Sequence, residues 1–228
     1  MVDWEKNWRG AGIGAVVFFI VGFVIYGGQP KVGASPEELV AFYDGDRTRI
    51  LVASIVVGFA ILNLLWFGAA LTSVLRDADM AGWGTAVTTA CAVLGGALFL
   101  HVTLSAALAY SLVGSGDAGL ASALNDTSWV LANLTLFPAA MLIMSGSFGL
   151  WRAGLISGRP FGTGITAMVV LLAGTTTWAT EGFWSPSGVY ARLVTTIVFL
   201  AWVTVVSGFI TRRRAARRAS GRAPVPVA

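Results

Sequence analysis

Apolar residues gather in six long runs, at about 11–27, 50–73, 84–113, 127–150, 162–181 and 187–211, separated by short polar stretches. A hydrocarbon core about 30 Å thick takes roughly 20 apolar residues in a helix. Backbone groups in lipid must pair within the segment, which a helix achieves and a lone strand does not. Barrel strands would be about 10 residues long and would alternate apolar with polar. These runs are longer and do not alternate. The pattern predicts an all-α, integral membrane six-helix bundle over residues 1–211, followed by a basic, disordered tail at 212–228.

The connections carry local signals of their own. Ser35-Pro36-Glu37-Glu38 reads as N-cap, N1 proline and N3 glutamate, a capping box. Leu39, Val40, Phe42 and Tyr43 follow at helical spacing, which predicts a short amphipathic helix on the outer face with its apolar side on the bundle. A weaker echo of this helix falls at Asp117–Leu124, before the fourth run. Pro138 lies inside the fourth run, so the Leu134 carbonyl loses its usual donor and the helix should kink there. The threonines at Thr175–Thr177 are candidates to satisfy that carbonyl. The small-residue stretch Ala86–Ala97, with Gly95 and Gly96, predicts close helix contact.

Composition agrees with a lipid-facing surface. The chain is 56% hydrophobic and 11% charged, against about 25% charged in ordinary soluble domains, and its mean hydropathy is +0.78. The single cysteine, Cys91, rules out an intrachain disulfide and a cysteine-based zinc cluster. Of 15 basic residues 13 are arginine in an Ala-, Gly- and Val-rich background, the bias of a GC-rich bacterial genome.

The placement of charge orients the helices. With the N-terminus in the cytoplasm, the inner side holds Lys6, Arg9, Arg76, Arg152, Arg159 and the tail arginines Arg212, Arg213, Arg214, Arg217, Arg218 and Arg222. The outer side holds only Lys31, Arg47, Arg49 and Arg192. Positive charge concentrates in the cytoplasm, so both termini are expected there, in a bacterial inner (plasma) membrane. Glu37, Glu38, Asp44, Asp46, Asp117, Asp126 and Glu181 lean outward. Trp8, Trp83, Trp151, Trp178 and Trp184 fall near helix ends, where indoles favour the interface. Asp3 and Glu5 neutralise the basic region a signal peptide needs, so the first run is expected to be retained. The tail is expected to anchor on anionic lipid, each basic residue contributing about 1 kcal/mol near such a surface. No aromatic residues interleave its arginines, so no nucleic-acid partner is expected.

Polar residues inside the runs are the candidates for function. His101, the only histidine, lies about 12 residues, or ~18 Å, from the outer end of the third run. Asn63 lies at nearly the same depth in the antiparallel second run, about ~20 Å from its outer end. Pairing is the economical way to hold such groups in lipid, which predicts an Asn63–His101 hydrogen bond with Ser105 completing a midplane network. Nearer the outer face, Asn133, Tyr110, Glu181, Tyr190 and Arg192 could line a pocket, with Arg192 either snorkelling outward or paired to Glu181. Asn125-Asp126-Thr127 and Asn133-Leu134-Thr135 match the glycosylation pattern. No phosphate loop, metalloprotease motif or nucleophile elbow is present, and no cofactor, metal or catalytic residue is expected.

"GASPEELVAFYDGDRTRILVAS", "LLWFGAALTSVLR", "GLWRAGLISGRPFG" and "FWSPSGVYARLVTTIVFLAWVTVVSGFITRR" together resemble a family of small bacterial, often actinobacterial, integral membrane proteins with a domain of unknown function. The resemblance runs from about Pro30 to Arg214 and implies about six helices and a plasma-membrane location. It implies no activity. Three classes of function follow. The first is non-enzymatic binding of a lipid, a small apolar molecule or a membrane partner, a second copy of the chain included. The second is a small transporter with a midplane site at Asn63 and His101. The third is a membrane-embedded enzyme or haem protein with an outer site near Asp44, Asp46, Arg47 and Arg192.

Overall fold

The computed structural model describes residues 10–112 and 117–219; side chains of Leu112 and of residues 213–219 lie outside it. Lys6, Trp8, Arg9 and Arg222 therefore lie outside the described residues, as do the side chains of Arg213, Arg214, Arg217 and Arg218 in the expected lipid anchor. Arg212 is exposed.

The fold is all-helical among the described residues. In chain order the helices are α1 (Ala11–Tyr26), α2 (Pro36–Tyr43), α3 (Arg47–Arg76), α4 (Ala81–Ala107), α5 (Ala118–Leu134), α6 (Leu136–Arg152), α7 (Gly158–Gly174) and α8 (Thr195–Ala219). Wider π-helical turns extend α4 over Leu108–Leu112 and lead into α8 over Tyr190–Val194. Four helical stretches are long and apolar enough to cross a membrane: Arg47–Arg76, Ala81–Ser111, Ala118–Arg152 and Tyr190–Arg212. Helix α1 is apolar but has 16 residues, and α7 has 17.

Local chemistry explains the ends. At α2, Ser35 Oγ accepts from the Glu38 amide at 3.3 Å, and Glu38 Oε2 accepts from the Ser35 amide at 3.2 Å, the expected capping box. A backbone amide and the Ser35 hydroxyl hold the exposed Glu37 carboxyl below its ordinary value. Leu39 and Tyr43 are the buried side of α2. The fourth run differs from expectation. Its helix begins at Ala118, so the weak outer helix at Asp117–Leu124 is the first part of α5, capped by Asp117 accepting from the Leu120 amide at 2.9 Å. The helical path breaks at Thr135, three residues before Pro138, as the missing proline donor requires. The threonines do not answer that break: Thr175 and Thr176 donate to the Leu172 and Ala173 carbonyls of their own turn. The fifth run also ends early, α7 stopping at Gly174, because the three threonines bond back onto carbonyls three residues earlier.

The main core joins α1, α3, α4, α6, α7 and α8 around Leu64, Phe67, Leu71, Leu142, Ile143, Leu171 and Trp202. Small residues let these helices approach. A Cβ on Gly12 would lie 2.8 Å from Ser207 Cβ, which sets α1 against α8. A Cβ on Gly95 would meet Leu65 at 2.9 Å, whereas one on Gly96 would meet nothing within 4 Å. Aromatic rings cluster at the two ends. Trp83 stacks on Phe148 and Trp151 on Phe161 at the end that carries Arg76, Arg152 and Arg159. Phe183, Trp184 and Tyr190 form the opposite cluster.

Candidate functional site

A second, smaller core seats α2 on the bundle, with Leu39, Tyr43, Ile50, Leu108 and Ala121 buried together. Beside it, one face of α5 clamps the connection that follows α1. Asn125 is fully buried; its Oδ1 accepts from Tyr43 Oη at 3.0 Å and Gln29 Nε2 at 3.4 Å, and its Nδ2 donates to the Lys31 carbonyl at 3.1 Å. Gln29 Nε2 also donates to Ser128 Oγ at 2.8 Å, Trp129 Nε1 to the Pro30 carbonyl at 2.8 Å, and the Gly33 amide to Asp126 Oδ1 at 3.0 Å. Burial first, then the neighbouring Tyr26, pushes the Tyr43 phenol well above its ordinary value, so it remains a donor. The stretch "NDTSW" showed only a glycosylation pattern in the sequence. Asn125 and Asn133, at 0% and 2% exposure, are not available as acceptors of a glycan.

Below this clamp lies a cavity of about 400 Å³. Its walls are apolar side chains of α1, α3, α4, α6, α7 and α8, Phe19, Val57, Leu94, Leu98, Leu136 and Leu171 among them. Val24 on α1 and Ile197 on α8 line it while remaining 72% and 64% exposed, so it opens sideways between those two helices. The contact of Gly12 with Ser207 closes the gap at the other end of α1. Arg192 spans the end of the opening nearest the α1 C-terminus: its guanidinium donates to the Gly27 carbonyl at 3.2 Å and lies 5.2 Å from the Phe23 ring centroid.

The polar residues expected in two separate places are redistributed. His101, Ser105, Asn133 and Arg192 line this one cavity. Asn63 does not. Its Nδ2 donates to the Phe59 carbonyl one turn back at 2.9 Å, and its Oδ1 sits against Gly14 of α1. His101 instead places Nδ1 3.0 Å from the Ser128 carbonyl of α5. A carbonyl only accepts, so Nδ1 carries the proton. Ser105 Oγ donates to the His101 carbonyl at 3.2 Å, the back-bond of a helical serine rather than a side-chain network. The expected Asn63–His101 bond is absent because equal depth does not give equal facing. Asn63→Leu and His101→Leu are accordingly expected to add in a double-mutant cycle within about 0.5 kcal/mol; a larger coupling energy in detergent unfolding would contradict this geometry.

Three members of the expected outer pocket lie elsewhere. Tyr110 is 66% exposed, with the Arg47 guanidinium 5.1 Å from its ring centroid. Glu181 is exposed and forms no ion pair with Arg192. Tyr190 donates to the Val170 carbonyl at 3.1 Å and packs on Trp184. The outer charged site near Asp44, Asp46, Arg47 and Arg192 is likewise not assembled, since Asp46 pairs with Arg49 at 2.6 Å and neither Asp44 nor Arg47 reaches the cavity. Among the described residues no three His, Cys, Asp or Glu side chains gather as metal ligands. Searches for similar proteins find no matching family, curated protein or solved structure.

Proposed function

We propose that this chain is a multi-pass protein of a bacterial plasma membrane that holds an acyl chain or similar apolar molecule, without catalysis, in the cavity between α1 and α8. The cavity is the observation that carries the reading. Its volume of about 400 Å³ falls in the range of about 300–1,000 Å³ typical of small-molecule sites, and its side opening is rimmed by the apolar Val24 and Ile197. A ligand entering there would come from the hydrocarbon phase. The transport reading required Asn63 and His101 to share a site, and only His101 lines the cavity.

The membrane placement is supported by the four long apolar helices and by the two aromatic clusters. Helix α7 runs 17 residues from Gly158 to Gly174, with Phe161 in its first turn and Trp178 just past its end; at helical rise this is ~25 Å, close to the hydrocarbon thickness. In this reading α1 and α7 complete a six-span bundle, and the arginine bias keeps both termini in the cytoplasm. The arginine-over-lysine bias in an Ala-, Gly- and Val-rich background supports the bacterial setting. Native mass spectrometry of the full chain released from mild detergent is expected to show a bound lipid or apolar adduct, removed when Ala139 and Leu98 are enlarged to Phe to fill the cavity. A carboxyl-terminal fluorescent reporter should report the cytoplasmic side. Adduct-free protein from native membranes, or an outward reporter, contradicts the corresponding half of the reading.

A further inference from the structure

The cavity has a sign as well as a shape. Among the described residues, Arg192 is the one formally charged side chain on its wall, and no described Asp or Glu lines it. Only one of its guanidinium contacts within the chain is a hydrogen bond, to an uncharged carbonyl; the other is to the face of Phe23. A cation held at the edge of an apolar site is costly until an anion or acceptor meets it.

A second donor lines the same cavity. Asn133 is 2% exposed and lines the cavity, yet its Nδ2 has no hydrogen-bond partner. Its Oδ1 lies 3.1 Å from Thr177 Oγ1, whose single proton is shared with the Gly174 carbonyl at 2.7 Å. Thr177 follows Gly174, whose hydrogen face lies against Thr195 Cγ2 of α8, 2.8 Å from an added Cβ. Thr195 is three residues beyond Arg192, about 4.5 Å along the helix. Asn133 and Arg192 thus line the cavity near the junction of Gly174 with Thr195, and both carry N–H groups. Buried amide donors are almost always satisfied, so an orphan beside an unneutralised arginine calls for a ligand rich in acceptors.

Resting on the cavity reading above, we propose that the ligand is an acidic single-chain amphiphile, its carboxylate or phosphate held by Arg192 and Asn133 and its hydrocarbon chain in the cavity. The bidentate fit of guanidinium to either oxyanion supplies the head-group selectivity. The apolar wall supplies affinity for the chain.

Binding of three probes to the full chain in phosphatidylcholine nanodiscs tests this: oleate, oleyl alcohol and oleoyl lysophosphatidylglycerol. Oleate or the lysophospholipid is expected to bind at least about tenfold tighter than oleyl alcohol, the size of one charge-assisted hydrogen bond. Whichever acid binds tighter identifies the carboxylate or the phosphate as the source. Arg192→Gln should erase the preference, Arg192→Lys should keep part of it, and Asn133→Leu should reduce it without loss of folded protein. Should Arg192→Gln fail to fold, the preference of the wild-type chain decides alone. Equal binding of acid and alcohol overturns the acidic-ligand inference and leaves the apolar cavity reading standing. Binding of none of the three overturns both.

Discussion

Replacing Asn125 by leucine is expected to destabilise the outer cap by about 2–6 kcal/mol, among the largest effects of any single change in the chain. Leucine has the same branching and the same number of side-chain heavy atoms as asparagine, so an emptied cavity is not the cause. The cause is what Asn125 leaves behind. The buried Tyr43 Oη and the part-buried Lys31 carbonyl each lose their Asn125 partner, and an orphaned group costs up to about 1–3 kcal/mol, most where it is fully buried. Gln29 is spared, since it keeps Ser128 at 2.8 Å. Ser128→Ala should therefore be milder than Asn125→Leu. Hydrogen exchange at residues 28–35 reads the effect directly, because that connection hangs on this face of α5. Unchanged exchange there, with an unchanged melting temperature in detergent, would show that the clamp does not hold the cap.

Gly146→Leu is expected to cost roughly 3 kcal/mol or more, at the upper end of what overpacking does. A Cβ at Gly146 would already lie 2.9 Å from two ring carbons of Trp202 and 3.0 Å from Leu71 Cδ2. Neither neighbour can yield cheaply. Trp202 is tethered by Nε1 donating to Ser147 Oγ at 3.1 Å and stands edge-on to Phe67, with ring centroids 6.1 Å apart. Leu71 is fully buried in the same cluster. The added side chain has to push α6 away from α3 and α8 together. Gly208→Leu, on α8 itself, is the control: a Cβ there meets nothing within 4 Å, and the change should fall within about 0.5 kcal/mol of neutral. Thermal melting and monodispersity in detergent compare the two. Equal melting of the Gly146 variant and the Gly208 variant would mean the three-helix junction is looser than its distances imply.

The close contact at Gly146 had no distinct sign in the sequence, where glycines are frequent. The small-residue stretch Ala86–Ala97 did stand out, yet only Gly95 of its two adjacent glycines meets a neighbour. Composition announces that helices approach closely. Which glycine sits at the crossing depends on helix rotation, and one residue turns the face by about 100°.

The sequence by itself determined what is local or one-dimensional. Long apolar runs specified helices because a backbone away from water must bond to itself. Ser35 and Glu38 specified the start of α2, and Pro138 the break at Thr135, because cap and proline chemistry acts within one turn. Tertiary structure alone decided which polar groups meet. Asn63 and His101 share a depth, but Asn63 turns toward α1 and His101 toward α5. Arg192 and Asn133, read as part of one outer set, reach a common cavity with His101 and Ser105, while Tyr110, Glu181 and Tyr190 do not. Depth follows from counting residues along a chain. Facing follows from how the helices rotate to fill the space between them, and that is settled only when all of them pack.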